Sequence, residues 1–487
     1  MERWIAALIV MGLYLVCCLV IGVLAGYKRE RFSVSEFAVA HRDLGLFLMW
    51  FMMGGAIFSA FAFMGGPGWA FSKGAASFYI LAYCALGLLP WYIIGPKLSR
   101  LGERKDLTCI GEFSQSRYGS PALRVIIGIT ATFAFIQYIC LQIKGSAYVF
   151  NVLTEGHISY KLAALLAYGI VIIYVATGGV RAAAWSDVLQ SALMIIIAWG
   201  VGFWLAGSLH GGVGSMFRNI AATKPGFLQI GVAGSKMSPA AYSTAILVSV
   251  LGFAMWPHLF SKSFVTTPRK IKQTVLAYPL FAIIVLPVLL MGFAAIGKVD
   301  PKALGTPDEV VPYLVTHVLN VSGWFYGLIG AGTLAAAMSS ADAITHGAAV
   351  EFVQDIYKVF RPKVTERETV TAMRIAVVGI GLVGLYVAIY GAAGLIQLLL
   401  GAYGSIVQFA PLVYGGLYWR RSSKQGAVAG LVAGVLVNTY YQVIVKTNPL
   451  DINAGIWGLL VNLVIFVVVS LLVKPSDPET AEEFIKA

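Results

Sequence analysis

Residues 335–343 read AAAMSSADA, so two hydroxyls and a carboxylate (Ser339, Ser340 and Asp342) lie in a stretch otherwise suited to lipid. Ser339, Asp342 and His346 recur at i, i+3 and i+7 and share one stripe of a helix, with Ser340 on its shoulder. Hydroxyl, carbonyl and carboxylate oxygens are hard donors, matched to a hard cation such as Na⁺. Of the 22 acidic residues, only Asp187 and Asp342 fall well inside apolar segments. A charge at mid-bilayer costs at least about 2.5 kcal/mol, so such a group faces a cavity and a partner. Two carboxylates sharing a region of low dielectric call for a cation or a proton. Back-bonding of each serine to the preceding turn, with close packing of small residues, accounts for the hydroxyls equally well. Spacing alone leaves both readings open. His346 is a proton-relay candidate, and His258, beside Pro257, reads as structural or conformational.

The elements that must position these groups are membrane helices. The chain has 487 residues, 59% hydrophobic and 12% charged, too little charge to cover a soluble surface. Apolar runs of about 20 residues recur along it, each long enough to cross a hydrocarbon core. The alternating rhythm of a membrane β-barrel does not occur. Thirteen spans are predicted: 4–26, 44–72, 75–96, 122–149, 160–177, 183–207, 239–261, 274–297, 322–350, 372–390, 392–418, 426–445 and 454–473. The first is not expected to be a cleaved signal, because its basic flank (Lys28, Arg29, Arg31) follows it. With the N-terminus outside, 25 of the 35 Lys and Arg collect on the inner side, which predicts a cytoplasmic C-terminus in a plasma (inner) membrane. The net charge of +13 is mostly this asymmetry, and its partner is lipid headgroups rather than nucleic acid. Five cysteines show neither metal spacing nor a disulfide pattern. Lys144, near the outer end of the fourth span, is expected to snorkel to the interface.

Two spans carry more helix breakers than the rest. The second reads MMGGAIFSAFAFMGGPGWAF and the seventh VLGFAMWPHLFSK. Backbone groups freed there must be satisfied inside the protein or by a wet cavity. The breaks lie five spans apart, an odd number, so a repeat of spans 2–6 onto 7–11 is inverted across the membrane. Matched breaks in two inverted halves point to a transporter's midplane site. The predicted organisation is a first span and loop (1–43), a first repeat (44–209), an outer loop (210–238), a second repeat (239–425), and two peripheral spans with a tail (426–487).

Several stretches resemble the sodium:solute symporter family, whose members share the LeuT-like fold. They are SAFAFMGGPGWAFSKG in span 2, TGGVRAAAWSDVLQ at 177–190, WPHLFSK in span 7, AAAMSSADA followed by DIY in span 9, and GGLYWRRSSKQGAVAG at 415–430. The resemblance implies a Na⁺ site between broken span 2 and span 9. Its carbonyls fall at Gly55, Phe58 and Ala336 and its hydroxyls at Ser339 and Ser340. Asp187 matches a carboxylate used at a second, inner ion site or along the exit route. Where several relatives carry Ser or Thr pairs at that inner site, this chain has Asp342 and Ala343, which leaves Na⁺, a proton or a neighbouring group as Asp342's partner. Lys262 stands where many relatives have Arg.

Within the family, GGPG and FIQYICLQIKG look like the subgroup that takes up pantothenate, acetate and other monocarboxylates. Ser59, Phe63, Gln137, Tyr138, Phe253, Trp256 and Gln408 are the candidate solute-binding residues. An aromatic lining with few polar groups suits a small, partly apolar solute, and a helix end at the break suits a carboxylate. The expected activity is Na⁺-coupled import of a small organic solute, with proton coupling, an amino-acid or sugar solute, or a non-transporting membrane sensor as alternatives. No enzymatic constellation appears: the glycine-rich runs of span 2 lie within a membrane segment, not at a strand–helix turn.

Overall fold

A computed structural model describes residues 2–26, 33–319, 321–391 and 394–487. Lys28, Arg29 and Arg31 of the predicted basic flank lie outside the described residues. The described chain is helical throughout, without a β-strand. Among the described residues, ten stretches are long and apolar enough to cross a membrane, or eleven when the bent pair Pro239–Phe253 and Pro257–Phe264 counts as one.

The helices used below are α1 (Arg3–Gly26), α2 (Leu46–Ile57), α3 (Gly66–Lys73), α4 (Leu89–Lys105), α5 (Pro121–Leu153), α6 (Tyr160–His210), α7 (Pro239–Phe253), α8 (Pro257–Phe260), α9 (Val285–Ala295), α10 (Gly323–Phe352), α11 (Glu366–Tyr390), α12 (Leu395–Ile406), α13 (Ala410–Tyr418), α14 (Lys424–Thr439), α15 (Ala454–Leu472) and α16 (Pro478–Lys486). Their starts follow local chemistry. Ser120, Ser159, Ser238, Ser322 and Ser423 each cap a helix by accepting a backbone N–H of the first turn. Thr365 and Glu368 form a reciprocal capping box at the head of α11.

A straight helix of 51 residues would measure about 77 Å, far more than a bilayer is thick. The α6 stretch is interrupted by Gly179, at φ 57° and ψ −146°. Gly74, at φ 60°, interrupts the chain between α3 and α4 in the same way. A Cβ at Gly74 would lie 2.0 Å from Phe227 O, so side chains are excluded there twice over.

The basic end of α4 and the Arg420–Arg421 pair just after α13 define one face of the molecule, called here the basic face. The last helix, α16, docks on it. Lys105 pairs with Glu483 at 2.7 Å and Arg420 with Glu482 at 2.8 Å. Phe484 is fully buried edge-on to Phe113, which in turn meets Phe260 of α8 at 5.7 Å.

Nearby, Asp355 accepts from Arg124 Nε at 2.8 Å and from Cys109 Sγ at 3.1 Å, with Glu351 close by. The cysteine spacing did not suggest this cluster. The arginine supplies the positive charge there, so it acts as a tie between α5 and the end of the α10 stretch.

Candidate ion and solute site

The first break falls where α2 ends. Phe58 leaves helical geometry (φ −83°, ψ 74°), and the chain re-enters helix through a wide turn at Phe61–Gly65. The freed backbone groups find side-chain partners. Ala60 N–H donates to Gln142 Oε1 at 3.0 Å and Phe61 N–H to Ser59 Oγ at 3.1 Å. On the acceptor side, Ser339 Oγ donates to Gly55 O at 3.0 Å and to Ala336 O at 3.1 Å. Ser340 Oγ lies 3.1 Å from both Gly55 O and Ala56 O. Gly55, Ala336, Ser339 and Ser340 are thus brought together from distant parts of the chain, while Phe58 sits at the start of the break with its ring stacked on Phe281. Ala56 O is a further oxygen in this cluster that sequence reasoning missed.

Asp187 approaches from α6. A Cβ on Gly55 would lie 2.8 Å from Asp187 Oδ1 and 3.1 Å from Ser191 Oγ. Asp187 is fully buried, yet neither carboxylate oxygen nor Ser191 Oγ has a hydrogen-bond partner among the described residues. A buried carboxylate without a partner is costly. The neighbouring set of carbonyls and hydroxyls is the donor type a monovalent cation takes, so the residues fit Na⁺. Ser191 follows Asp187 by four residues, the spacing that would have flagged it.

Asp342 lies on the same side of α10. Its Oδ2 accepts from Tyr174 O–H at 2.9 Å and Ser186 O–H at 3.0 Å, while Oδ1 is buried without a hydrogen-bond partner among the described residues. Ser186 and Asp187 are therefore chain neighbours, the first bonded to Asp342 and the second lying against Gly55. Lys262, buried beyond the second break, donates to Met52 O at 2.8 Å. His346 Nε2 lies 2.8 Å from Phe37 O.

The solute candidates divide. Tyr138 stacks obliquely on Trp256 at 4.9 Å and its hydroxyl reaches Ala56 O at 3.5 Å. Trp256 meets Tyr403 at 5.5 Å, Tyr403 meets Tyr83 at 6.0 Å, and Tyr83 meets Phe253 at 6.5 Å. Tyr83 and Tyr403 complete this ring cluster, and nothing in their local sequence separates them from packing aromatics. Ser59 is fully buried at the break, and Phe63 is buried in the wide turn. Gln137 instead lines a separate cavity of about 580 Å³ with Gln397, Gly401, Asn438 and Gln442. Gln408 lies apart as well: its Nε2 donates to Gly404 O and Gly455 O, joining α12 to α15. Lys144 does not snorkel. It is buried and donates to Gly391 O at 2.5 Å, because the C-terminal end of α11 offers a carbonyl within reach.

Residues 37–434 match the sodium:solute symporter family. The chain belongs to that family. The symporter is 30% identical to the uncharacterized symporter YhjB of Bacillus subtilis (strain 168), covering 98% of this chain and 99% of that one. It is 24% identical to the monocarboxylate transport permease protein of Rhizobium johnstonii, with 98% of each chain covered. Among solved structures, a Na⁺-coupled sialic acid symporter in a substrate-bound, outward-open state superposes with a TM-score of 0.81 at 18% identity, over 97% of this chain and 99% of that one. The symporter thus shares that fold, and it is a membrane transporter rather than an enzyme.

Proposed function

We propose that the symporter couples inward Na⁺ movement to uptake of a small monocarboxylate. One observation carries the ion assignment: two serine hydroxyls from span 9 converge on the Gly55 carbonyl at the break of span 2, beside a buried, partnerless Asp187. With the ion bound, the serine protons turn away and their lone pairs face the metal, while the Asp187 charge is balanced. The ion then ties α2 to α10 and fixes the break that borders the aromatic cluster. Departure of the ion loosens both contacts and frees the solute, as alternating access requires.

For the solute, the reading rests on the aromatic cluster around Tyr138 and Trp256 and on the polar groups at the break. A carboxylate would take the N–H groups of Ala60 and Phe61 from Gln142 and Ser59. The named relative from Rhizobium johnstonii agrees with this class. We read the membrane arrangement as thirteen crossings, dividing Phe61–Lys105 at Gly74 and Tyr160–His210 at Gly179, with spans 2–6 and 7–11 as inverted halves. The basic face is then cytoplasmic, in the plasma membrane, and lipid headgroups are its partner.

The test is uptake into proteoliposomes under an imposed Na⁺ gradient, with acetate, pyruvate, pantothenate, L-proline and galactose as labelled solutes. Na⁺-stimulated accumulation of a carboxylate is expected. Accumulation of L-proline or galactose alone would overturn the solute class, and stimulation that ignores Na⁺ would overturn the ion. A second reading, proton coupling, is favoured by Asp342 Oδ1, buried without a hydrogen-bond partner among the described residues on the helix that carries Ser339 and Ser340. Under that reading, uptake persists without Na⁺ and collapses with a protonophore.

A further inference from the structure

Lys262 has a place in this site that the ion reading does not use. It is one of few cations buried in the spans, and its ammonium is held off the carboxylates by its bond to Met52 O. Met52 lies three residues before Gly55 on α2, about 4.5 Å along the axis, so the ammonium sits one helical step from the oxygen cluster. Its charge acts on both Asp187 and Asp342. Lys262, Met52 and Ala343 also border a cavity of about 20 Å³, as do His258 and His346. That is room for about one water, or for a shift of a flexible four-carbon stem. His258 has no hydrogen-bond partner at either ring nitrogen among the described residues.

Two buried carboxylates with one ammonium leave one negative charge uncompensated, and one transported cation supplies the difference. When that cation leaves, the pair repels itself unless a positive charge remains near. We propose that Lys262 is the resident counter-charge of the Asp187–Asp342 pair, competing with the transported cation for these carboxylates and standing in for it when the site is empty. This rests on the ion reading above. Lys262 acts as a positioning residue, not as an ion ligand. A lysine that only capped the Met52 carbonyl would add stability in every salt and leave the ion's affinity alone.

The two roles separate in the purified full chain. Thermal unfolding is followed against NaCl, with choline chloride holding the ionic strength constant. For Lys262→Met, the expected result is a lower melting temperature in choline and a half-stabilising Na⁺ concentration about tenfold below the wild type's, because a competing charge has gone. Lys262→Arg keeps the wild-type value. Adding Asp187→Asn to Lys262→Met restores stability in choline, and this restoration also decides the matter if Lys262→Met alone is not recovered folded. An unchanged or raised half-stabilising concentration in Lys262→Met, or no rescue by Asp187→Asn, overturns the proposal. If Na⁺ stabilises the wild type no more than choline does, the ion reading itself fails and takes this one with it. A Na⁺-specific shift that is lost in Ser339→Ala/Ser340→Ala but unmoved by Lys262→Met removes this inference alone.

Discussion

Ser340 Oγ lies 3.1 Å from the carbonyl oxygen of Gly55, across 285 positions of sequence. A helix break early in the chain and a hydroxyl pair late in it thus share one oxygen cluster. Replacing both serines by alanine removes two hydroxyl oxygens and spares the carbonyls. The expected outcome is a rise of about tenfold or more in half-saturating Na⁺ per oxygen lost, each tenfold being about 1.4 kcal/mol. Na⁺ dependence of uptake in proteoliposomes reads it; unchanged Na⁺ dependence would remove the two serines from the site.

Gly55 has no room for a side chain. A methyl group there would crowd Asp187 Oδ1 at 2.8 Å and Ser191 Oγ at 3.1 Å. Gly55→Ala is expected to displace Asp187 and abolish Na⁺-specific thermal stabilisation while the protein still inserts and folds. Gly12→Ala, where a Cβ meets nothing within 4 Å, serves as the silent control.

Gln142 serves the break from a distance of 82 residues by accepting from Ala60 N–H. Gln142→Leu leaves that N–H buried without an acceptor, a loss of about 1–3 kcal/mol. The melting temperature falls, and Gln142→Glu, which keeps an acceptor oxygen, recovers part of it. Equal melting temperatures for Gln142→Leu and wild type would mean that the break satisfies itself.

Asp308 gives a pH signature outside the spans. It is buried in the loop before α10, where its Oδ2 accepts from Leu395 N–H at 3.3 Å. Burial raises its carboxyl to about 6, with Glu309 adding to the rise and the Leu395 N–H and Lys144 opposing it. Because the folded value is raised, the stabilising protonated form is fully present below about 3.8 and is lost as pH climbs through about 6. The shift corresponds to about 3 kcal/mol. Asp308→Asn is therefore expected to melt higher than wild type at pH 7.5, with the gap closing towards pH 4. Burial also raises Glu309, which leaves a smaller residual dependence in the variant. A gap that stays constant across this range would contradict the assignment.

Much of this was legible before any coordinates. Apolar runs marked the helices, and clustered glycines and prolines marked both breaks, because membrane helices advertise themselves through composition. Ser339, Ser340 and Asp187 stood out because polar groups are scarce in such runs. Other features depend on which distant segments meet. Gln142 reads as one amide among several until the break that needs it is placed opposite. Gln408 looked like a solute ligand by position, but a neighbouring helix claims its amide. Tyr83 and Tyr403 are indistinguishable from packing aromatics in one dimension. Lys144 looked like an interface anchor because α11's terminal carbonyl, its partner, lies 247 residues away.

Ser186 and Asp187 occupy adjacent positions of one helix, about 100° apart around its axis, and face Asp342 and Gly55 respectively. Any twist of that helix must alter both contacts in the same stroke. Neither carboxylate's surroundings can be retuned by helix movement while the other's stay fixed, so the two act as a single geared element.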